Sequence, residues 1–314
     1  MLLTSSMMAS DHMTDSASKT QHIPVLLEET IEGLDLAPGK VVVDGTLGGG
    51  GHAVAIARKV GSSGLVIGTD RDSSALERLD RRIAELGEPL NLKTYFANYC
   101  DFDDALERAG VERVDGFLLD LGLSSDQLAD RSRGFSFDSD GELDLRYDTT
   151  EGEPAYKLLN RWKEEKIADV IFKYGEDRLS RRIARAVVER RRQEPIRYAR
   201  ELAEICRRCD PTPPWSKKRI DPATRTFQAL RIVVNDELGS LETFLKKFTE
   251  SLKVGGRVAI ISFHSLEDRI VKNAFRDSEG LRILTKKPIV ATDEEVERNP
   301  RARSAKLRIA ERIN

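Results

Sequence analysis

The sequence predicts an α/β protein: a doubly wound, mostly parallel sheet carrying an inserted α-helical domain. Three observations lead there. Four short apolar runs alternate with amphipathic segments between residues 41 and 120. Three of those runs end on an aspartate: Asp44, Asp70 and Asp120. The alternation then stops from about residue 128 to 222, where only helical periodicity is found, before it resumes.

Residues 23–34 read as a lead-in and an amphipathic helix. Val41-Val42-Val43 ends at Asp44 and a glycine cluster, as a buried parallel strand ends before a ligand-facing turn. A helix over 53–60, a strand over 65–70, a charged helix over 74–86, a strand over 92–96, a helix over 102–109 and a strand over 116–120 follow. Ligands of such sheets bind outside the strand carboxyl ends, where the three acids sit. Residues 154–174, 177–193 and 198–208 are helical in period, with Leu179, Ile183 and Val187 as one apolar stripe. The alternation resumes with one long helix over 226–248, a strand over 257–262 and a helix over 266–275. Residues 281–284 and 305–310 suit a terminal hairpin pair.

Composition narrows the class. The chain has 314 residues, 39% hydrophobic and 33% charged, enough for a real core under a well-solvated surface. No apolar run reaches the length of a membrane span, so no membrane partner is expected. Three cysteines, Cys100, Cys206 and Cys209, fit a reducing, cytoplasmic setting better than a disulfide framework. Residues 1–21 are Ser/Thr-rich, lack a signal-peptide pattern and read as a disordered tail. All four methionines lie there, so a translation start at Met13 is expected, with residues before His22 dispensable.

The glycine cluster runs Asp44-Gly45-Thr46-Leu47-Gly48-Gly49-Gly50-Gly51-His52. Gly48-x-Gly50-x-x-Ala53 also resembles a dinucleotide fingerprint. Asp44 decides between the two, because a carboxylate there would repel a pyrophosphate on the helix N-terminus. S-adenosylmethionine has no phosphate and carries an ammonium, which an acid suits. Asp70 is placed to accept from two ribose hydroxyls, and Tyr99 to stack on an adenine ring. A structural glycine turn with solvated acids is the bland alternative.

After the fourth strand stands Asp120-Leu121-Gly122-Leu123-Ser124-Ser125, where amine methyltransferases often carry an Asp/Asn-Pro-Pro-aromatic motif. The acid is kept and the prolines are not. Thr212-Pro213-Pro214-Trp215 is a decoy, since a charged helix precedes it. No Pro-Cys dipeptide exists, and no cysteine has the context of a thiolate nucleophile for cytosine C5. An exocyclic amine is the better acceptor. Asp120, with the Leu121 or Gly122 carbonyl, would hold its protons.

From His22 to the C terminus the sequence resembles the bacterial 16S ribosomal RNA cytosine-N4 methyltransferases. The matching stretches include His22-Ile23-Pro24-Val25-Leu26-Leu27, Val43 to Thr46 with Gly48 to His52, Asp70-Arg71-Asp72, and Asp120 to Ser125 with Gln127-Leu128. Further matches are Arg133-Gly134-Phe135-Ser136-Phe137, Leu143-Asp144-Leu145-Arg146, Arg225 to Arg231, Ser262 to Arg269 and Asn299 to Ser304. The resemblance implies a Rossmann-like class I methyltransferase core over 22–128 and 223–314, with a helical substrate-recognition domain over 129–222. It implies S-adenosylmethionine contacts at Gly50, Gly51, His52, Asp70, Tyr99, Asp120 and Gln127, with Tyr99 standing where Phe is frequent. The implied substrate is a decoding-centre cytidine of 16S rRNA in the small ribosomal subunit. An amine methyltransferase of DNA or small molecules is the runner-up. A non-catalytic RNA-binding assembly factor is the alternative from another class. The oligomeric state is left open, a homodimer among the options.

Other features have two readings each. His264, just after a strand, would either touch the cytosine or RNA as a catalytic residue or serve the structure. Phe135 and Phe137 would stack on a flipped-out base or anchor their loop. Cys206-x-x-Cys209 reads as an incidental pair and Asp138-x-Asp140-Gly141 as a turn, so no metal is expected. From Arg178 to Arg219 there are 14 Lys/Arg and 5 Asp/Glu, against a whole-chain charge of −2. That excess, with Arg190, Arg191 and Arg192 at its centre, points to RNA backbone contact rather than a merely solvated face.

Overall fold

The computed structural model describes residues 24–212 and 220–314. The expectations for the tail, Met13, residues 213–215, Lys217, Lys218 and Arg219 lie outside the described residues.

The first half alternates as its pattern demands: α1 Leu27–Gly33, β1 Val41–Asp44, α2 Gly51–Val60, β2 Leu65–Asp70, α3 Ser73–Leu86, β3 Leu92–Phe96, α4 Phe102–Ala109 and β4 Val114–Asp120. A short α5 Ser125–Ala129 leads into α6 Ala155–Arg161, α7 Glu164–Gly175, α8 Ser180–Gln193 and α9 Ala199–Cys209. Then come α10 Thr224–Asn235, α11 Glu237–Ser251, β5 Leu252–Ser262, α12 Ser265–Asp277, β6 Leu281–Ile283, α13 Asp293–Arg298 and β7 Lys306–Arg312. The seven strands lie in the order β3-β2-β1-β4-β5-β7-β6. β1 to β5 are parallel, and β7 runs antiparallel between β5 and β6. The order reverses between β1 and β4, which opens a crevice at their carboxyl ends. Among the described residues no helix is long and apolar enough to cross a membrane.

The central strands β1, β2, β4 and the second half of β5 are nearly continuous apolar runs because both faces of the sheet are covered there. Val43, Ile67, Phe117, Leu119, Val258 and Ile260 face α4, α11 and α12, against Phe102, Phe244, Phe248 and Val271. Val42, Val66, Leu118, Ala259 and Ile261 face α1, α2 and α3, against Leu34, Ile56, Val60 and Leu79. A third core lies among α6 to α10 and runs in sequence from Phe135 to Leu230.

Two expected helices are each broken. Residues 154–174 form α6 and α7, separated by Trp162 and Lys163 in extended conformation, and Trp162 is buried in the helical core. Residues 226–248 split at Asp236, which is left-handed at φ 48°. The break has a packing cause: α10 buries Phe227, Ala229 and Leu230 in the helical core, whereas α11 buries Leu241, Phe244 and Phe248 against the sheet. Asn235 holds the corner. Its Oδ1 accepts from Tyr147 N (2.8 Å) and its Nδ2 donates to the Leu145 carbonyl (2.7 Å).

Phe244 sits 5.6 Å from Phe102, 5.5 Å from Phe117 and 5.2 Å from Phe248, ring centre to ring centre. Phe244→Ala should therefore cost about 3–5 kcal/mol, the usual penalty for emptying an aromatic core position. Urea unfolding would measure it, and a loss below about 1 kcal/mol would show that the site collapses without a cavity.

Candidate active site

β1 delivers Asp44 into the crevice, 1% exposed. Its Oδ1 accepts from Thr46 N (3.1 Å), while its Oδ2 is buried without a donor. Burial, with Asp120 and Asp70 nearby, holds this carboxyl well above the usual range. The next residue must be glycine: a Cβ on Gly45 would run into Leu119 and Tyr99. Gly50, at φ 71°, caps the start of α2 and turns the chain into it. Asp70 closes β2. Its Oδ2 accepts from Gly48 N (2.8 Å) and its Oδ1 from Asp72 N (2.9 Å), so each oxygen keeps a lone pair. Burial lifts its pKa to about 6 despite those amides.

Of these residues Gly45, Gly48 and Asp70 border a cleft at the carboxyl ends of the strands. Gly51, His52, Asp70, Tyr99, Asp120, Leu121, Gly122 and Gln127 all line it. Tyr99 is positioned by its hydroxyl, which donates to the Glu237 carbonyl (3.2 Å). Gln127 forms a capping box with Ser124 at the start of α5 and donates to Asp72 Oδ2 (3.1 Å). Asp120, at the end of β4, has an Oδ1 buried with no donor. Its pKa is raised to about 7 by burial, against the opposing pull of Arg301.

The far wall comes from outside the expected set. Tyr147, Glu237, Glu267 and Arg301 also line the cleft. Glu237 accepts from Arg231 Nε (2.7 Å) and from the Tyr147 hydroxyl (2.9 Å). Arg301 donates to Ser125 Oγ (2.7 Å) and to the Leu123 carbonyl, pinning the loop after Asp120. Arg301 and Glu267 belong to the matched stretches 299–304 and 262–269, and Tyr147 directly follows a third. Glu237 carries no sequence signal, because its place depends on the break at Asp236.

Several candidates stand elsewhere than expected. Asp44 and Gly50 do not line the cleft, although their neighbours Gly45, Gly49 and Gly51 do. His264 is also outside the lining. It caps α12, its Nδ1 accepting from Glu267 N (3.3 Å). That bond places the proton of the neutral ring on Nε2, 3.2 Å from Glu267 Oε1. Both ring nitrogens thus face Glu267 at the start of α12. Glu237, His264 and Glu267 bring ligand-type atoms within 4.8 Å of one another, and Arg231 holds both oxygens of Glu237 through Nε and Nη2. Phe135 is 4% exposed and stacks on Tyr147, and the partly buried Phe137 meets Phe227 edge-on at 4.9 Å, so both rings pack against the helical core. Arg190 pairs with Glu201 (2.7 Å) and Arg191 donates to the Leu159 carbonyl, which ties both to the helical core. Arg192 alone of the three is exposed.

The sequence profile of the MraW methylase family matches residues 19–313. The chain belongs to this family. It is similar to the "Ribosomal RNA small subunit methyltransferase H" of Rhodopirellula baltica, 47% identical over 95% of this chain and 93% of the relative. It is likewise similar to the protein of that name from Deinococcus deserti, 50% identical over 96% of each chain.

A methylase of this fold uses S-adenosylmethionine, and the residues present fit it. The crevice holds carboxylates with spare lone pairs, and the two arginines that line it, Arg71 and Arg301, each donate to a carbonyl of the chain. Asp70 can take the ribose hydroxyls, Tyr99 supplies an aromatic wall, and the buried Asp44 and half-buried Asp120 favour a ligand that is cationic at sulfur and nitrogen. When bound, that group supplies an activated methyl.

The raised carboxyls make stability depend on pH. Folded, Asp70 and Asp120 keep protons up to about pH 6 and about 7. Unfolded aspartates release theirs near pH ~4. The folded chain binds more protons across that window, so stability falls as pH rises through it. Asp72 and Asp268, which are lowered, act below that window. The melting temperature of the cofactor-free enzyme should rise from pH 8 to pH 6, and Asp120→Asn should remove part of the rise. Identical pH dependence in both proteins would show Asp120 to be ionised throughout.

Proposed function

We propose that this methylase transfers a methyl group to the exocyclic N4 of a cytidine in 16S ribosomal RNA, at the decoding centre of the small subunit, in the cytoplasm. The observation that carries this reading is Asp120: a half-buried carboxylate at the topological switch point, bordering the cleft, with one buried oxygen that no donor among the described residues satisfies. Such a group accepts N–H protons and turns the nitrogen lone pair toward a methyl donor. The names of the relatives supply the small-subunit RNA. Attack on cytosine carbon is disfavoured by the thiols. None of the three cysteines lines the cleft, and burial pushes all three thiols up, Cys206 to about 12.

In this reading residues 129–222, joined by α10, form the RNA-recognition part. Arg182, Arg185, Arg190 and Arg208 line a groove between α8 and α9. Arg181, Arg182 and Arg192 are exposed on α8. Phosphates laid along that face would release counterions.

Two predictions test the proposal. Asp120→Ala should lower turnover on isolated 30S subunits far more than it lowers cofactor affinity, whereas Asp70→Ala should chiefly weaken the cofactor. Methyl transfer from labelled cofactor, with nucleoside mass spectrometry, reads both; the same affinity-only defect in both variants would remove the role given to Asp120. Reversing Arg181, Arg182 and Arg192 to Glu spares the Arg190 and Arg191 contacts. It should weaken 30S binding and flatten the slope of log affinity against log salt by about 2. Unchanged affinity and slope would place the RNA elsewhere.

A further inference from the structure

We infer that Arg301 is a positioning residue for the methyl transfer: from the far wall of the cleft it clamps the loop after Asp120 and supplies the fixed positive charge that keeps the Asp120 carboxylate ready to accept. The inference rests on the amine reading above and gives a role in it to a residue near the end of the chain.

The backbone that carries Arg301 is fixed on both sides. The residue stands in a 3-10 turn, Pro300–Ser304, between α13 and β7. Ala302, next to it, is fully buried in the core shared by Leu118, Ile261 and Leu307. On the other side α13 is tied to the start of the fold, where Leu26 N donates to Glu295 Oε1 (2.8 Å). The half-buried side chain reaches the cleft wall. Its Nη1 donates to Ser125 Oγ (2.7 Å) and its Nη2 to the Leu123 carbonyl. One planar fork therefore spans the loop that follows Asp120. Gly122 lies between Asp120 and these acceptors at φ 96°, a conformation few residues adopt, and the fork fixes the chain beyond that turn. Asp120 N itself donates to Thr46 Oγ1 (2.6 Å), so the carboxylate stands between an anchored strand end and a clamped loop.

Both acceptors of the fork are neutral, a hydroxyl and a carbonyl, so neither cancels the guanidinium charge. Asp126, the acid that follows Ser125, has its own counter-ion in Arg78 Nε (3.2 Å). The charge of Arg301 is left to act on Asp120, and it favours the ionised form. The other groups facing Asp120 cannot replace it. Glu267 of α12 is an acid and acts in the opposite sense. Asp44 of β1 is an acid too. The His52 ring of α2, 3.7 Å from Asp120 Oδ2, is charged only when protonated. Of these groups Arg301 alone is a permanent cation.

The charge matters because of what burial does to Asp120. Even beside Arg301 its pKa is raised to about 7. A protonated carboxyl would aim an O–H at the amine. The reaction needs an acceptor there, and the nitrogen lone pair must stay free for the methyl group. Without the guanidinium more of the enzyme would hold the protonated form at neutral pH. A charge acts more strongly in a cleft walled by protein than it does in water.

Carbon-13 NMR of the aspartate-labelled, cofactor-free enzyme tests this directly, with Asp120→Asn identifying the resonance. In Arg301→Gln the Asp120 titration should move up by about one pH unit, the low end for loss of a nearby opposite charge. Arg301→Met, which keeps the unbranched stem, should give the same displacement and serves where the glutamine variant folds poorly. Arg301→Lys keeps the charge and should titrate close to wild type. Arg303→Gln, which removes an exposed charge from the same turn, should leave Asp120 unmoved. An Asp120 titration identical in wild type and in both neutral variants would overturn the inference. Single-turnover methyl transfer gives a second reading, with cofactor and 30S saturating for each variant so that changes in affinity do not enter. Arg301→Gln should be about tenfold slower at pH 6, with a deficit that shrinks as pH rises. Arg301→Lys should lose the same fraction at every pH, the mark of a loosened loop. A deficit in Arg301→Gln that stays constant across pH would overturn the charge role. Nucleoside analysis separates the two levels: a methyl on carbon or ribose oxygen defeats the amine reading itself, while a failure in the NMR arms defeats the Arg301 role alone.

Discussion

The reversal of strand order between β1 and β4 is the constraint on which the rest depends. It opens the sheet at one end and brings the carboxyl ends of β1, β2 and β4 together, so that Asp70 and Asp120 line one crevice and Asp44 stands at the neighbouring strand end. Three acids so placed lose water, and the raised pKa values of all three record that cost; Asp44 is raised further by the charges of Asp120 and Asp70. The loops after the strands exist to make the crowd tolerable. Backbone amides of Thr46, Gly48 and Asp72 each give one hydrogen bond to a carboxylate, and Arg301 reaches in from the far end of the chain. What remains unneutralised is the property the site uses: an appetite for a cationic ligand and for a proton.

The same crevice joins the two parts of the molecule. Asp72, two residues past Asp70, accepts from Ser74 at the start of α3, from Gln127 at the cleft and from Arg133 beyond α5 (2.8 Å). Arg71 donates to the Asn235 carbonyl at the corner between α10 and α11 (2.7 Å). Consecutive residues of one loop thus hold the wall that carries the cofactor residues and the helices proposed to meet RNA. Both bridges are largely buried, where loss of one partner leaves a stranded charge or polar group.

Much of this was legible in the sequence. Strands buried on both faces read as uninterrupted apolar runs, and the acids at their ends mark the crevice before any coordinates exist. The glycine loop and the Asp120 loop were legible too, since close approach and tight turns restrict residue choice at Gly45 and Gly50. What escaped depends on tertiary context. The break at Asp236 lies inside a continuous helical pattern, and only the presence of two cores, each claiming one half, explains it. Glu237 enters the cleft because of that break. The arginines on α8 look alike in sequence; partners distant in the chain, Glu201 and the Leu159 carbonyl, distinguish Arg190 and Arg191 from Arg192. Phe135 and Phe137 look exposed because their neighbours are polar, yet the helical core they enter is assembled from segments up to α10.

The pairing of β4 with β5 sets Val114 beside Leu252, with the whole helical insertion between them in the chain. In the unfolded chain that contact closes a very long loop, and contacts of this kind slow folding. The helices α6 to α10 make their core almost wholly among themselves. Once they collapse, the ends they carry are drawn toward one another and the effective loop shrinks to the span of a small folded body. The insertion is therefore a kinetic aid to the sheet it interrupts: a chain folding from its N-terminus completes the closing half of the sheet after the insertion has formed.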